Sequence, residues 1–334
     1  MERPTVSVVM VVRNAEATLE ESLASLFAQT FSSFEVIIVD DGSTDRTGDI
    51  VRQAVAKNPC VNAFYQDKRG LAGSLNRAIS VAQGRFLARQ DGDDWSMPER
   101  LEQQVRRLES DENLAAVGTA AIVIDERGKP IGRFPTVHGV AAVRDGLRAL
   151  RTTPVHGSMM LRKDHLAVVG AYREAFQASQ DYDLWLRLTE RFDIDNLEQP
   201  LYHWRITPGS AYVSRRHLQL QYGGAALAFA HERWRYGIDS YSVLERCAGD
   251  LLAFAAQYRL RGRLYGFWGD LALRGLNEPK TARRYLGQAI RSGHLHPRTI
   301  GLFAWSLLGL RWPGGKPLAV PVDCSATETR QSTD

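Results

Sequence analysis

Short apolar runs alternate with amphipathic stretches over residues 6–124, and this alternation restricts the fold more than any other feature of the sequence. The apolar runs have the length of buried strands, and the stretches between them have the apolar spacing of helices. Strands and helices that alternate in this way form a parallel sheet covered by helices on both faces. The predicted strands are residues 6–12, 35–39, 60–65, 84–90 and 115–124, and the predicted helices are residues 17–28, 45–56, 71–83 and 98–109.

The second half of the sequence has a different character, with Ala, Leu and aromatic residues at helical spacing. Before that change, residues 154–162 resemble one more strand and residues 179–192 a helix that closes the first domain. The sequence therefore predicts an α/β domain over residues 1–212, in which a nucleotide-binding, mostly parallel sheet is flanked by helices. An all-helical domain over residues 213–312 and a disordered polar tail over residues 313–334 should follow.

Charge is distributed unevenly around a net value of +4. Residues 201–312 contain sixteen Lys or Arg and six Asp or Glu, a local charge of +10, which leaves −6 for the remainder. A basic region is typical of attraction to an anionic partner, such as a membrane surface or a diphosphate-bearing acceptor, and equally of solvated helix faces. Nothing in the pattern indicates nucleic-acid binding.

An apolar stretch over residues 299–312 is shorter than the roughly 20 residues needed to cross a bilayer. It fits a core helix or an interfacial helix lying on a lipid surface. The first residues lack the pattern of a secretory signal, and the three cysteines are too far apart for a zinc or disulfide framework. We therefore expect a cytoplasmic protein, free in solution or peripheral on the inner face of the membrane.

Two acidic segments follow predicted strands, at the edge where open parallel sheets bind ligands. The first contains Asp40 and Asp41 and continues into Gly42 and Ser43. A carboxylate at this edge can accept hydrogen bonds from a nucleobase or a ribose, a contact that favours specific recognition. The alternative is a turn whose aspartates only cap the next helix.

The second acidic segment has three carboxylates within four residues, at Asp91, Asp93 and Asp94, with Gly92 allowing close approach of the backbone. Such crowding is unfavourable without a cation, and oxygen ligands suit Mg²⁺ or Mn²⁺, which commonly bind one or two carboxylates together with phosphate oxygens and water. Neither acidic segment is accompanied by a Walker lysine or a Gly-x-Gly-x-x-Gly loop. Dehydrogenases and P-loop ATPases are therefore disfavoured.

In this combination the sequence resembles the inverting glycosyltransferase family 2, whose A-type (GT-A) fold is a nucleotide-binding α/β domain. The resemblance covers about residues 4–206. It is carried, in order, by residues 6–14 (VSVVMVVRN), 25–30 (SLFAQT), 39–45 (VDDGSTD), 75–76 (LN), 88–94 (ARQDGDD), 98–101 (PERL) and 180–185 (QDYDLW).

The resemblance implies the roles of the donor-binding residues. Asp41 should contact the base of a nucleotide-sugar, Asp91 should lie near the ribose, and Asp93 should bind the metal with Asp91 as a second ligand. The remaining residues expected at the donor are Val11, Arg13, Lys68, Gly70, Asn76 and Gly92.

The same resemblance places the catalytic base at Asp181. Inversion requires a base that removes the acceptor hydroxyl proton while that oxygen attacks the anomeric carbon. His156, Gln180 and Trp185 are the candidate acceptor contacts. Two residues depart from the family pattern: Gln180 stands where many relatives have glutamate, and Thr207 where relatives commonly have histidine.

The residues and the resemblance together predict a metal-assisted enzyme that moves a sugar from a nucleotide donor to a saccharide or glycoconjugate acceptor, including a lipid-linked saccharide. That the donor is a UDP-sugar is implied by the resemblance alone. Two other classes stay open at this point. One is a catalytically silent protein that only binds sugar nucleotides. The other is a Mg²⁺-dependent phosphoryl-transfer enzyme that uses the Asp91–Asp94 segment.

Overall fold

The fold is built around one large sheet in the computed structural model, which describes residues 3–150, 153–207, 216–246, 251, 269–270, 273–274, 279–291, 295 and 297–310. Within those residues, nine strands join in the order β3-β2-β1-β4-β8-β6-β9-β5, and β7 pairs with β6. The strands are β1 Val6–Val12, β2 Phe34–Asp41, β3 Val61–Gln66, β4 Phe86–Asp91, β5 Trp95–Ser96, β6 Leu114–Ile124, β7 Pro130–Arg133, β8 Met160–Arg162 and β9 Asp193–Arg205.

Helices cover both faces of this sheet. They are α1 Leu19–Phe27, α2 Thr47–Lys57, α3 Leu71–Val81, α4 Arg100–Glu109, α5 Val140–Arg148, α6 Lys163–Val169, α7 Gln180–Leu188, α8 Arg216–Tyr236, α9 Tyr241–Arg246, α10 Pro279–Arg291 and α11 Pro297–Leu307, with a short 3₁₀ helix at His156–Ser158. The five strands and four helices predicted up to residue 124 are confirmed, with ends displaced by at most two residues.

Parallel pairing of β1, β2, β3 and β4 brings their carboxyl ends to one edge of the sheet. Val12 is opposite Asp40 and Val11 is opposite Asp91, so both acidic segments begin at that edge. The two faces of β1 pack into different cores, because alternate residues point to opposite sides of a strand. A strand buried on both faces has a continuous apolar run, which is why the sequence pattern predicts β1 correctly.

Two predicted features of the α/β domain are wrong. Residues 154–162 form a strand only over Met160–Arg162, because the preceding backbone turns through the 3₁₀ helix to pass beside Asp91. The longest strand, β9, is absent from the predicted elements: charged residues and Pro200 interrupt its alternation, and its pairing with β6 shifts register at Ala120, opposite Pro200. Its partner is about 80 residues away in sequence, so local periodicity could not reveal the pairing.

The domain boundary expected at residue 213 stays a prediction, and helices on both sides of it share one apolar cluster. Tyr222 and Phe229 of α8 and Tyr241 of α9 pack in the same apolar cluster as α7 and the sheet. A second, smaller cluster joins α10 to α11 through Leu286 and Leu302. The tail predicted over residues 313–334 lies outside the described residues. No helix in the described part of the chain is both long enough and apolar enough to span a membrane.

Candidate active site

A cavity of about 960 Å³ lies at the edge of the sheet where β4 ends. The loop after β4 forms one part of its wall. Other parts come from the first turns of α3 and α7, the segment 153–157 and helix α8, and from the loop before α3, residues 174–179 and the end of β9. The carboxylates that line it are those of Asp91, Asp93, Asp94, Glu174 and Asp181. The cavity therefore joins the acidic segment after β4 to the predicted base.

Asp41 lies beneath the loop that connects β3 to α3. Its Oδ1 accepts hydrogen bonds from the backbone N–H of Arg69 (2.8 Å) and the side chains of Gln66 (2.9 Å) and Ser74 (2.8 Å), and its Oδ2 accepts one from the N–H of Gly70 (3.0 Å). Burial alone would raise the pKa of Asp41, but these bonds outweigh it and hold the pKa below its ordinary value. Asp41 is 4% exposed, so these bonds hold its carboxylate in a fixed orientation at the sheet edge.

Arg13 and Asn14 follow β1 and lie next to the loop after β2. Asn14 has a φ of +51° and bridges two loops: its N–H donates to Ser43 Oγ (3.1 Å), and its Oδ1 accepts from the N–H of Thr44 (2.8 Å). A left-handed asparagine is tolerated because its short amide can bond locally. Arg13 is exposed and Val11 is half-buried. Like Asp41, both lie at the sheet edge rather than among the residues that line the cavity.

Residues 68–70 line the cavity at the start of α3. Lys68 is exposed and forms part of the wall. Gly70 has a φ of +90° with nothing within 4 Å of the position a Cβ would take, so glycine is required there by backbone conformation alone. The structure places Asn76 elsewhere: its amide donates to the Tyr172 carbonyl (2.9 Å) and accepts from the Tyr172 N–H (3.0 Å). Asn76 thus anchors the segment after α6, away from the cavity wall.

A buried arginine, which no sequence pattern singled out, lies under Asp91. Arg89 is 1% exposed and forms an ion pair with Asp91 Oδ1. Both residues point to the same face of β4, because they are two positions apart. The guanidinium is permanently charged, so it holds one oxygen of the Asp91 carboxylate in place.

Asp93 and Asp94 have different environments. Burial, followed by the nearby Asp91 charge, raises the pKa of Asp93 to about 6. Asp94 is 2% exposed, and its Oδ1 accepts a hydrogen bond from the backbone N–H of Arg205 (2.7 Å). Burial and the charges of Asp93 and Asp91 raise the pKa of Asp94 well above its ordinary value. Asp94 therefore fastens the end of β9 to the acidic segment, a role the sequence left unassigned.

The donor set at this edge fits a hard divalent cation in part. Asp91 and Asp93 both line the cavity, and the mutual repulsion that raises the Asp93 pKa is what a cation would relieve. Among the described residues no group of three or more His, Cys, Asp and Glu side chains forms a complete metal cage. Two carboxylates suit Mg²⁺ or Mn²⁺, which keep open positions for phosphate and water.

Asp181 lies in the first turn of α7 and lines the cavity. The residue before the helix, Ser179, has a φ of +55°, a strained conformation for serine that is held by a hydrogen bond from its Oγ to the Gln219 carbonyl (3.0 Å). Burial raises the pKa of Asp181 to about 6, and the nearby Asp91 charge adds to the shift. The carboxylate is thus a base whose pKa lies close to neutral pH.

Asp183, two residues on, is structural. It is fully buried and forms ion pairs with Arg187 (2.9 Å) and Arg173 (3.3 Å). Arg187 in turn donates to the carbonyls of Val169, Gly170 and Ala171. Both aspartates could have been helix-capping charges, but only Asp181 reaches the cavity.

The three predicted acceptor residues divide between the cavity and the core. His156 and Gln180 line the cavity. Burial and the Arg89 charge hold the pKa of His156 well below its ordinary value, so the ring is neutral and its Nε2 bonds the Tyr172 hydroxyl (2.8 Å). The structure contradicts the prediction that Trp185 contacts the acceptor. Trp185 is fully buried, and its ring packs edge-on against His156.

An apolar part of the cavity was not predicted. Phe134 and Trp204 meet edge to face with ring centroids 5.4 Å apart, and both line the wall with Val155 and Leu218. Aromatic walls of this kind bind apolar surface while polar groups fix orientation. Phe134 lies in a stretch without clear periodicity and Trp204 in the unpredicted strand β9, so neither had a sequence signal.

Thr207 lies where the family pattern commonly has a histidine. His203 does not replace the missing histidine, because it lies in β9 opposite Trp95 and packs on that ring at 5.3 Å. Burial lowers the pKa of His203. Its neighbour Arg205 lines the cavity and donates from Nε to the Asp93 carbonyl (2.7 Å).

Comparisons with solved structures support the GT-A-like fold. Staphylococcus aureus TarS 1–349 in complex with UDP-GlcNAc matches with a TM-score of 0.54 and 16% identity over 90% of each chain. Mannosyltransferase PcManGT from Pyrobaculum calidifontis, in complex with GDP-Man and Mn²⁺, matches with a TM-score of 0.55 and 21% identity over 94% of this chain and 82% of its own. At these identities the likeness concerns the fold alone.

Sequence relatives identify the family. The family model for glycosyl transferase family 2 matches residues 7–169. The amylovoran biosynthesis glycosyltransferase AmsE of Erwinia amylovora is 30% identical over 219 residues, covering 63% of this chain and 79% of AmsE. EpsE of Bacillus subtilis, a protein assigned as a glycosyltransferase, is 37% identical over 250 residues, covering 73% of this chain and 87% of EpsE. The chain therefore belongs to glycosyltransferase family 2 and is a glycosyltransferase.

Proposed function

We propose that this glycosyltransferase moves a sugar, with inversion, from a UDP-sugar to a saccharide or lipid-linked saccharide acceptor. The observation that carries the proposal is that Asp91 and Asp93 after β4 and Asp181 at the start of α7 line one cavity. Carboxylates for a donor diphosphate and its cation thus share a space with a base for the acceptor. The volume of about 960 Å³ is at the upper end of the range for small-molecule sites, which suits two substrates together.

The donor would lie along the carboxyl ends of β1, β2 and β4. Asp41 would contact the base after β2, and Asp91 and Asp93, which line the cavity, would hold Mg²⁺ or Mn²⁺ against the diphosphate. A bound cation offsets the negative charge that develops on the departing diphosphate. Lys68 and Arg69, both in the cavity wall, add positive charge near the same group.

Asp181 would act on the acceptor. Its ionised carboxylate takes the proton of the acceptor hydroxyl while that oxygen forms a bond to the anomeric carbon and the bond from that carbon to the diphosphate oxygen breaks. Neutral His156, fixed by Tyr172, would orient the acceptor by hydrogen bonding rather than by proton transfer. Phe134 and Trp204 would contact the apolar faces of the acceptor.

Relatives support the substrate classes. AmsE is named for amylovoran biosynthesis, which favours a role in polysaccharide assembly. TarS has been solved with UDP-GlcNAc and PcManGT with GDP-Man and Mn²⁺, so nucleotide-sugar donors and a divalent cation both occur within this fold.

The test is a panel of UDP-, GDP- and dTDP-sugars, each with and without Mn²⁺, scored by protection against thermal unfolding. We expect UDP-sugars to raise the midpoint most, and only with the cation. The proposal fails if no nucleotide sugar protects the protein even with Mn²⁺. Equal protection by UDP and GDP donors would remove the assignment to uridine.

Two rival functions give different results in a follow-up assay. A protein that only binds sugar nucleotides would show protection without turnover, and Asp181→Asn would leave both unchanged. A phosphoryl-transfer enzyme would release inorganic phosphate without forming a glycosidic product. Asp164→Asn is the matched control, because Asp164 is exposed in the first turn of α6 and does not line the cavity.

A further inference from the structure

Helix α11 is apolar on two faces, of which only one is covered in the described part of the chain. Leu302 packs with Leu286 of α10, and this face also buries Thr299 and Ser306. A different face carries apolar residues that remain in solvent. These are Ile300 and Leu307 of the helix and Leu308 and Leu310 just after it, with exposures of 45%, 55%, 67% and 50%. A contiguous exposed apolar stripe of this kind marks an interaction site.

The charge around this stripe has one sign. Residues 279–310 contain five Lys or Arg and no Asp or Glu. Arg298 is ion-paired with Asp270 (2.6 Å), whereas Lys280 and Arg291 are exposed. The chain continues as Arg311 and Trp312 directly after the stripe, and the next acidic residue in the sequence is Asp323.

Contacts between the two helices place the basic first turns of α10 beside the leucines. Arg283 of α10 donates to the carbonyls of Ser306 (2.5 Å) and Leu307 (3.2 Å), at the carboxyl end of α11. The start of α10 therefore lies against the end of α11, and Lys280 is one turn from Arg283. The exposed leucines and Lys280 thus lie at one end of the helix pair, and Arg291 and Arg298 lie toward the other end.

We propose that this surface, formed by α10 and α11 and called here the α10–α11 surface, docks on an anionic lipid bilayer. The exposed leucines would enter the boundary between headgroups and acyl chains, and the lysine and arginine side chains would contact lipid phosphates. The absence of acidic residues over residues 279–310 is the observation that favours an anionic surface over a second copy of this chain, which would bring like charges together.

Docking there would also bring the cavity close to the lipid. Tyr285 of α10 packs in the same cluster as Phe134 and Val155, which line the apolar part of the cavity. A helix is only about 10 Å across, so a bilayer on the outer side of α10 would lie near the acceptor side of the cavity. This consequence rests on the proposed function and fits a lipid-linked acceptor; the docking itself does not depend on it.

Vesicle flotation of the full chain tests the docking without any activity measurement. The vesicles contain phosphatidylcholine alone or with about one third phosphatidylglycerol, at low and at high salt. We expect flotation with the anionic vesicles only, reduced about fivefold or more by high salt because exposed charges are screened.

Two double variants whose replaced side chains have similar exposure distinguish binding through the α10–α11 surface from non-specific adsorption. Leu307→Ser with Leu308→Ser should reduce flotation about fivefold or more. Val168→Ser with Ile238→Ser, which removes side chains that are 65% and 75% exposed elsewhere, should float like the wild type. All four side chains are exposed, so thermal unfolding should be unchanged.

Three results would overturn the proposal. The first is that the wild-type protein does not float with the anionic vesicles. The second is that it floats equally with the neutral vesicles. A loss of flotation in the control variant matching that in the leucine variant would point to unspecific adsorption. Light scattering on the same samples would reveal a dimer that only the leucine variant disrupts, and such a dimer without vesicle binding would assign the surface to a second copy.

Discussion

Removal of the Asp181 charge should abolish transfer and stabilise the fold at the same time. In the folded protein the pKa of Asp181 is raised from its ordinary value of 3.8 to about 6, first by burial. A raised carboxyl pKa means that the folded state binds the proton more tightly than the unfolded chain. The ionised carboxylate therefore costs stability above pH 6, and the cost disappears as the pH falls below about 4.

The size of the effect follows from the shift. Each pKa unit corresponds to about 1.4 kcal/mol, so the full shift is worth about 3 kcal/mol. The carboxylate is partly exposed to the cavity, and screening reduces this to about 1–3 kcal/mol. For a chain of this size we expect Asp181→Asn to raise the unfolding midpoint by roughly 2–6 °C at pH 8 and to leave it unchanged near pH 4. Turnover should fall at least about 100-fold, as is typical when a general base is removed.

Thermal unfolding at both pH values, with turnover on the same preparations, measures both effects. Asp164→Asn makes the same chemical change in the first turn of a neighbouring helix outside the cavity, and should change neither. The reasoning would be refuted if Asp181→Asn retained activity within about threefold of the wild type. A midpoint at pH 8 that fell rather than rose would refute the assigned pKa shift.

Three further predictions concern the same cavity. In a pH profile of kcat/KM, activity should fall about tenfold per unit below pH 6, since Asp181 must be ionised to act as base. Gly157→Ala would place a methyl group 2.1 Å from the Tyr202 hydroxyl and 2.7 Å from Asp91 Oδ2. The free energy of unfolding should therefore fall by about 1–3 kcal/mol, and donor should protect the variant less against thermal unfolding. Gly301→Ala is the control and should show neither loss, because nothing lies within 4 Å of its Cβ position. Arg89→Met should lower the free energy of unfolding in urea by about 1–3 kcal/mol, because it removes the partner of the Asp91 carboxylate, whose side chain is 33% exposed. Adding Asp91→Asn should recover part of that loss.

The sequence alone determined the half of the fold that is built from local patterns. Strands β1, β2 and β4 are buried on both faces and appear as short apolar runs, whereas the edge strand β3 is only partly buried. The helices between them show their own period. Parallel order then places the residues after β2 and β4 at one edge. That is why the sequence is sufficient to place Asp41, Asp91 and Asp93 at one edge of the sheet.

Only the tertiary structure decided which polar side chains face the cavity. Asp181 and Asp183 are both in the first turn of α7, yet the helix turns one to the cavity and the other to Arg173 and Arg187. Trp185 points into the core, while Trp204, in a strand that pairs with β6 from far along the chain, lines the wall. Such choices depend on how distant segments pack against each other, and the period of a single segment contains no information about its partner.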